Sequence, residues 1–392
     1  MADPWLTIIG IGEDGLSLPA RAAVAQADSI FGGPRHLELA QAGAKGRPWP
    51  VPFSVDPVLA ERGRRTVVLA SGDPFWFGAG SSLVAHLQPG EWTAMPSPSV
   101  FSHAAARLGW RLEETHCLGL HAAPFERLVP VLSNGVKAIC LVRDGAAAGH
   151  LAHWLDANGF GASELTVLEA LGGPRERVRA TRADGYALED VAHPVAVAID
   201  AKGSGGLSRA SGLPDDLFAH DGQITKRPVR ALTLSALAPR PGEVLWDIGA
   251  GSGSVSIEWL LAAAGTRSFA LEADAERADR AAMNAERFGL GHRLTLVHAR
   301  APDGLADLPR PDAVFIGGGA NDALLDALFA VVPAGTRIVA NAVTLETESL
   351  LAHWAGQKGG TLLRIELAEA RPLGSKRGWR SAMPVVQWST TR

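Results

Sequence analysis

Residues Glu243–Leu261 read EVLWDIGAGSGSVSIEWLL. A short, mostly apolar run ends at Ile248, three glycines follow at Gly249, Gly251 and Gly253, and an apolar helical pattern opens at Ser254. Glycine lets a chain turn through positive φ and approach a ligand closely. The first turn of a helix offers N–H groups with no partner of their own. Strand, glycine turn and helix in this order predict an open α/β sheet that binds a ligand at the carboxyl end of this strand.

Outward from this segment the chain alternates. Strand candidates are Glu243–Ile248, Arg267–Glu272, Arg293–His298, Asp312–Ile316, Thr336–Asn341, Thr361–Leu367 and Met383–Trp388. Helical patterns Ser254–Ala264, Asp274–Phe288, Ala320–Val331 and Leu345–Gln357, with a short turn near Asp303–Leu308, fall between the first six. Alternation predicts a parallel sheet with helices on both faces. A direct loop is expected between the last two strands, which makes the final strand antiparallel. Six alternating strands and one reversed strand resemble the seven-stranded sheet of the Rossmann-like class I methyltransferases.

The loop carries a chemical preference. A dinucleotide fingerprint needs G-x-G-x-x-G, but here the third glycine comes one place early and position 254 is serine. G-x-G-x-G suits a cofactor without a pyrophosphate, such as S-adenosylmethionine. Glu272 ends the next strand, placed to accept both ribose hydroxyls. Glu276, Asp279 and Glu286, interleaved with Arg277, Arg280 and Arg287, read as a solvated helix face.

The other half is also α/β, with strand candidates Trp5–Ile9, Ser29–Phe31, Thr66–Leu69, Trp92–Met95, Lys137–Val142, Glu164–Glu169 and Val195–Ile199. The Gly-, Ser- and Pro-rich stretch Ala201–Gly222 reads as a linker, so domains are expected at 1–210 and 211–392. Gly10, Gly12 and Gly15 spell G-x-G-x-x-G, and the alternative they raise is an NAD(P)-dependent oxidoreductase. The second strand ends in glycines, not the acid that a dinucleotide ribose needs. Tight turns beside another ligand explain the spacing better. Two further loops follow strands: Gly72-Asp73-Pro74 with Gly78, and PSPSV with a helix start near Ser99.

G-I-G-x-x-G-L, the G-D-P loop and the P-x-x-S helix start, in this order, resemble the tetrapyrrole methylases. The ITK segment (Ile224–Lys226) and the GAGSG loop resemble a second enzyme of the same pathway. The pair joined in one chain resembles the precorrin-6Y methyltransferase (decarboxylating) family of aerobic cobalamin biosynthesis, over nearly the whole chain. The resemblance implies S-adenosylmethionine bound once per domain and a precorrin, a tetrapyrrole, as substrate. It implies methylation at carbon 5 by the N-terminal domain, and methylation at carbon 15 with loss of the ring C acetate by the C-terminal domain. Carried across, cofactor residues would be Gly72, Asp73, Gly78, Ser99, Val100 and Leu171 in the first domain. In the second they would be Thr225, Gly249, Ala250, Gly251, Ser252, Gly253, Glu272 and Ala301. Two positions depart from the pattern: Ser97 where a glycine is common, and Arg300 where an acid commonly receives the adenine amino group. A guanidinium cannot accept a hydrogen bond.

Composition bounds the rest. With 37 basic and 41 acidic side chains the net charge is -4, which argues against nucleic acid as a partner. No apolar run approaches a membrane span. Two cysteines exclude a disulfide framework, and a cytoplasmic setting is expected. His150 with His153, and His116, Cys117 and His121, lack the further ligands of a metal site, so no metal is expected. The substrate's carboxylates call for basic side chains. Arg371, Lys376, Arg377 and Arg380, in the expected lid loop, are preferred over Arg175, Arg177, Arg179 and Arg182. Glu113-Glu114 and Asp215-Asp216 read as solvated pairs. Trp76, Trp354 and Trp379 are candidates for stacking. Family resemblance suggests a homo-oligomer.

Overall fold

The computed structural model describes residues 4–392. The chain forms two compact units that part between Gly205 and Gly206, with Glu126–Pro130 grouped with the second.

In the first unit, buried β-branched runs build two five-stranded sheets. One is parallel, in the order Gly46–Pro48, Ser29–Gly32, Thr66–Ser71, Leu6–Ile11, Trp92–Met95. The other runs Thr115–Gly119, Lys137–Leu141, Val195–Asp200, Glu164–Glu169, Arg177–Arg182, with only its first pair parallel. Gly46–Pro48, Thr115–Gly119 and Arg177–Arg182 are strands that hydrophobic periodicity did not reveal. All three lie at sheet edges, where one side of the strand has no neighbour and polar residues are tolerated.

The second unit holds a seven-stranded sheet. Its order is Leu294–His298, Arg267–Glu272, Val244–Ile248, Ala313–Ile316, Arg337–Ala342, Val385–Thr391, Thr361–Ile365. Every pair is parallel except those made by Val385–Thr391, which is antiparallel to both neighbours. Trp246, Val314, Ile338 and Trp388 bury one face of the sheet, while Leu245, Phe315 and Val339 bury the other against Leu234 and Trp259. The expected seven strands and the reversed last one are present. The direct loop before that last strand is not. Residues Ala368–Leu373 and Lys376–Ser381 pair antiparallel as an exposed hairpin. Its alternation carries little apolar signal because neither face is buried.

The linker-like stretch is partly structural. Leu213 and Phe218 are buried in the core of the second unit. Asp215 is no solvated acid: its Oδ1 accepts from Arg230 at 3.0 Å. Arg230 has no exposed surface and donates through Nε to Glu258 at 2.5 Å and through Nη1 to the Thr225 carbonyl at 2.5 Å. The Leu213 carbonyl takes a further N–H. The Glu258 carboxylate also accepts from the N–H groups of Gly212 (2.6 Å) and Leu213 (2.9 Å). Removing one partner of such a buried pair strands the other charge. The Glu258→Ala chain is expected to lose about 3–5 kcal/mol of stability in the second unit, read by denaturant unfolding.

Candidate functional site

In the second unit the loops at the carboxyl ends of the parallel strands enclose a cavity of about 740 Å³. Thr225, Gly249, Ala250, Gly251, Ser252, Glu272 and Ala301 all line it, as does Arg300. Gly253 does not. It has φ +72 and its Cα faces Ala281, whose Cβ would lie 3.0 Å from an added methyl, so this glycine serves the close approach of two helices. Gly251 is the opposite case. A Cβ there would meet only the Gln223 carbonyl, at 3.9 Å, and would otherwise stand in the open cavity. Ser252 is buried, and among the described residues its Oγ has no partner. Glu272 uses one oxygen for the Gly251 N–H (2.8 Å) and the other for the Asp274 N–H (3.0 Å). Each carboxylate oxygen retains accepting capacity. Backbone left open by glycine, an orphaned hydroxyl and a fixed acid fit the amino-acid and ribose parts of S-adenosylmethionine.

The helix face carrying Arg277 and Arg280 is not simply solvated. Both guanidinium groups reach Asp221, at 2.9 and 3.4 Å. They tack the segment before Thr225 to this helix. Arg230 fixes the same segment from the other side through the Thr225 carbonyl.

In the first unit a cavity of about 750 Å³ is lined by Gly72, Gly78, Ser99, Val100 and Leu171. Asp73 is not on that wall; its Oδ1 accepts the Phe75 N–H at 2.8 Å and shapes the turn. Gly10 and Gly72 form a backbone node. A Cβ on Gly10 would sit 1.8 Å from the Gly72 oxygen, and one on Gly72 would sit 2.7 Å from Ser99 Cα. Ser97, where the pattern has glycine, closes the node by donating its Oγ–H to the Gly10 carbonyl at 2.9 Å. Ser99 caps its helix by accepting from the Ser102 N–H at 3.2 Å.

Sequence reasoning missed the polar end of this cavity. Glu13, Arg35, His36, Arg143 and His193 line it. Glu13 is bound by Arg35 and, at 3.2 Å, by Arg175. Burial and the Arg35 charge lower His36 to about 4, so its imidazole is neutral at ordinary pH. No local motif marks these residues, since they come together only through the fold. Trp76 lines this cavity beside Phe101, whereas Trp354 is core, donating to Asp322 at 2.8 Å.

The arginine clusters divide. Arg177 and Arg179 bind the fully buried Glu169, at 2.5 and 2.9 Å, so they serve the fold. Arg371, Lys376, Arg377 and Arg380 stand on the exposed hairpin with Trp379, which is 80% exposed. Arg371 pairs with Glu369. The hairpin is rooted at the second cavity, where Leu367, Ala382 and Met383 form part of the wall. Burial raises Cys117 to about 11 and Cys140 further, so neither thiol ionises readily. Among the described residues no cluster of metal-ligating side chains occurs, and no helix is long and apolar enough to cross a membrane.

Beneath the glycine loop, Asp247 is fully buried. It accepts from Ser256 Oγ at 2.5 Å, and among the described residues its other oxygen has no partner. Burial, with the Glu272 charge adding to it, raises its pKa to about 6. The folded chain therefore holds this proton more tightly than the unfolded chain does. The resulting stability is complete below about pH 4 and is lost as pH rises through about 6. Relative to the wild type, the Asp247→Asn chain should gain up to about 3 kcal/mol between pH 4 and pH 7, measured by denaturant unfolding across that range.

Comparison with known proteins agrees with this architecture. Residues 6–186 match the family model of the tetrapyrrole (corrin/porphyrin) methylases, and residues 216–392 match a precorrin methyltransferase domain. A precorrin-6Y C(5,15)-methyltransferase [decarboxylating] from Sinorhizobium is 47% identical, over 100% of this chain and 97% of that protein. A protein of the same name from Mycobacterium tuberculosis is 39% identical, over 99% of this chain and 100% of its own length. The crystal structure of the C-terminal domain of precorrin-6Y C5,15-methyltransferase from Rhodobacter capsulatus is 55% identical. It covers 47% of this chain and 100% of that one, with a TM-score of 0.46. With full-length relatives at this identity, and glycine-lined cavities in both units, the chain belongs to the precorrin-6Y C(5,15)-methyltransferase (decarboxylating) family.

Proposed function

We propose that this chain methylates precorrin-6Y at carbons 5 and 15 and removes the acetate of ring C as carbon dioxide, within cobalamin biosynthesis. The N-terminal domain, residues 1–210, takes carbon 5. The C-terminal domain, residues 211–392, takes carbon 15 and the decarboxylation. The observation that carries this reading is the second cavity's cradle: Gly251 open to the cavity, the orphaned Ser252 hydroxyl and the fixed Glu272 carboxylate. The first cavity, built on the Gly10–Gly72–Ser99 node, supports a second cofactor site.

S-Adenosylmethionine, when bound, supplies an electrophilic methyl group. The residues around it position and shield. Glu272 receives the ribose hydroxyls, Gly249–Ser252 take the amino-acid end, Ala301 borders the adenine and Thr225 roofs the cavity. In the first unit Gly72, Gly78, Ser99, Val100 and Leu171 take the corresponding parts, with Asp73 acting through the turn. The nucleophile is an electron-rich carbon of the macrocycle, so the protein needs no nucleophile of its own, and orientation supplies much of the rate. The basic hairpin, with Arg371, Lys376, Arg377 and Arg380, is suited to the carboxylates of the macrocycle. A homo-oligomer in the cytoplasm completes the reading.

Titration of the full chain with S-adenosylhomocysteine should give two sites. Glu272→Ala should weaken one of them by about 100-fold, the loss of two hydrogen bonds to a charged acceptor. Gly10→Ala, which drives a methyl into the Gly72 carbonyl, should abolish the other. Mass analysis of the product should show two methyl groups gained and one carbon dioxide lost. A single site, or two sites that both survive Gly10→Ala, would refute the two-site reading.

A further inference from the structure

The wall of the second cavity is drawn from both sides of the strand Val244–Ile248 in its sheet. Its charged lining residues, Lys226, Glu272, Arg277 and Arg300, all precede Phe315 in the chain. From Phe315 onward the wall is glycine and apolar side chains, with two exceptions, Asn321 and Asn341. Asn321 is committed to its own helix start. Its Oδ1 accepts the Leu324 N–H at 3.0 Å and its Nδ2 donates to the Gly319 carbonyl at 3.1 Å.

Asn341 is held differently. Its Nδ2 donates to Thr233 Oγ1 at 3.0 Å, and its Oδ1 accepts from Gln387 Nε2 at 3.0 Å. Gln387 Nε2 also donates to Thr233 Oγ1 at 3.0 Å. These three bonds fix which way both amides face, and they leave Asn341 with one N–H and one lone pair. Thr233 is fully buried and Gln387 is 3% exposed. Apolar side chains of the same shape would serve stability as well, so a satisfied polar network here points to a need to hold one amide still.

We propose that this neutral, apolar side of the cavity is the decarboxylation subsite, and that Asn341 orients the acetate carboxylate that leaves. This rests on the function proposed above. In the step, the bond between the acetate methylene and its carboxylate breaks and carbon dioxide departs. The electron pair enters the conjugated macrocycle at a protonated ring nitrogen, and a proton from water then completes the methyl group. Carboxylate charge disperses as the bond breaks. A cation on the carboxylate would stabilise the starting state more than the transition state and slow the step. A single neutral N–H in an apolar wall orients the group without pinning its charge. The exposed apolar residues Val343 and Met383, which also line this side, offer a surface to the macrocycle.

The test uses the full chain with precorrin-6Y, reading carbon dioxide release in a single turnover and substrate affinity by titration. Asn341→Lys should bind the substrate about tenfold more tightly and release carbon dioxide about 100-fold more slowly, a split that loss of structure does not produce. Asn341→Leu should weaken binding and slow release by about tenfold each, and Gln387→Leu, which frees the amide, should move in the same direction. Stabilisation by S-adenosylhomocysteine reports on folding of each variant. Release from Asn341→Lys within about twofold of wild type overturns the placement, as does weaker substrate binding alongside slowed release in an Asn341→Lys chain that S-adenosylhomocysteine still stabilises. A wild-type chain that leaves the macrocycle unchanged overturns the function itself, and this inference with it.

Discussion

The second unit is organised around a charge that cannot be neutralised. A guanidinium stays protonated in a protein, and that of Arg230 has no contact with solvent. Its N–H groups must be met from inside, and its partners come from three parts of the chain. Glu258 lies on the helix that follows the glycine loop, Asp215 and Leu213 on the segment after the unit boundary, and Thr225 on the cavity wall. Phe218 stacks under the same cation at 4.8 Å. A stretch of glycine and serine with weak periodicity is thereby made part of the core, and the cavity acquires part of its wall. Stability and site geometry in this unit depend on one set of hydrogen bonds.

The two cavities are similar in volume and differ in where their polar side chains come from. The first brings Glu13, Arg35, His36, Arg143 and His193 to its wall. In the second, the charged lining residues Lys226, Glu272, Arg277 and Arg300 all precede Phe315 in the chain, and the lining after it carries no charge. Charged walls suit recognition of a polyanionic ring and the handling of protons released on methylation. A neutral wall suits a step in which charge leaves the carboxylate.

Much of the second unit was legible in its residues because its signals are local. Buried strands read as apolar runs, glycines stand at the turn, and Glu272 follows at the end of the next strand. What escaped depends on distant partners. Asp215 looks like a surface acid until Arg230, 15 residues on, closes over it. Arg177 and Arg179 look like ligands for an anion until Glu169 proves to be that anion. Gly253 and Asp73 belong to motifs in sequence but serve the backbone in space, one for helix packing and the other for a turn. The hairpin 368–381 escaped because a ribbon exposed on both faces has no hydrophobic period to read.

The strand order has a consequence for how this unit assembles. Val385–Thr391 enters the sheet between Arg337–Ala342 and Thr361–Ile365, which precede it in sequence. Until it arrives, Arg337–Ala342 presents one open edge and Thr361–Ile365 has no place in the sheet. Trp388, wholly buried against Phe329, is missing from the core at that stage. An unpaired strand edge is a template for other chains, and pairing over long sequence separation is slow. The closing strand thus acts as a keystone: a chain cut short of residue 385 keeps the whole glycine loop and yet leaves its sheet open to aggregation.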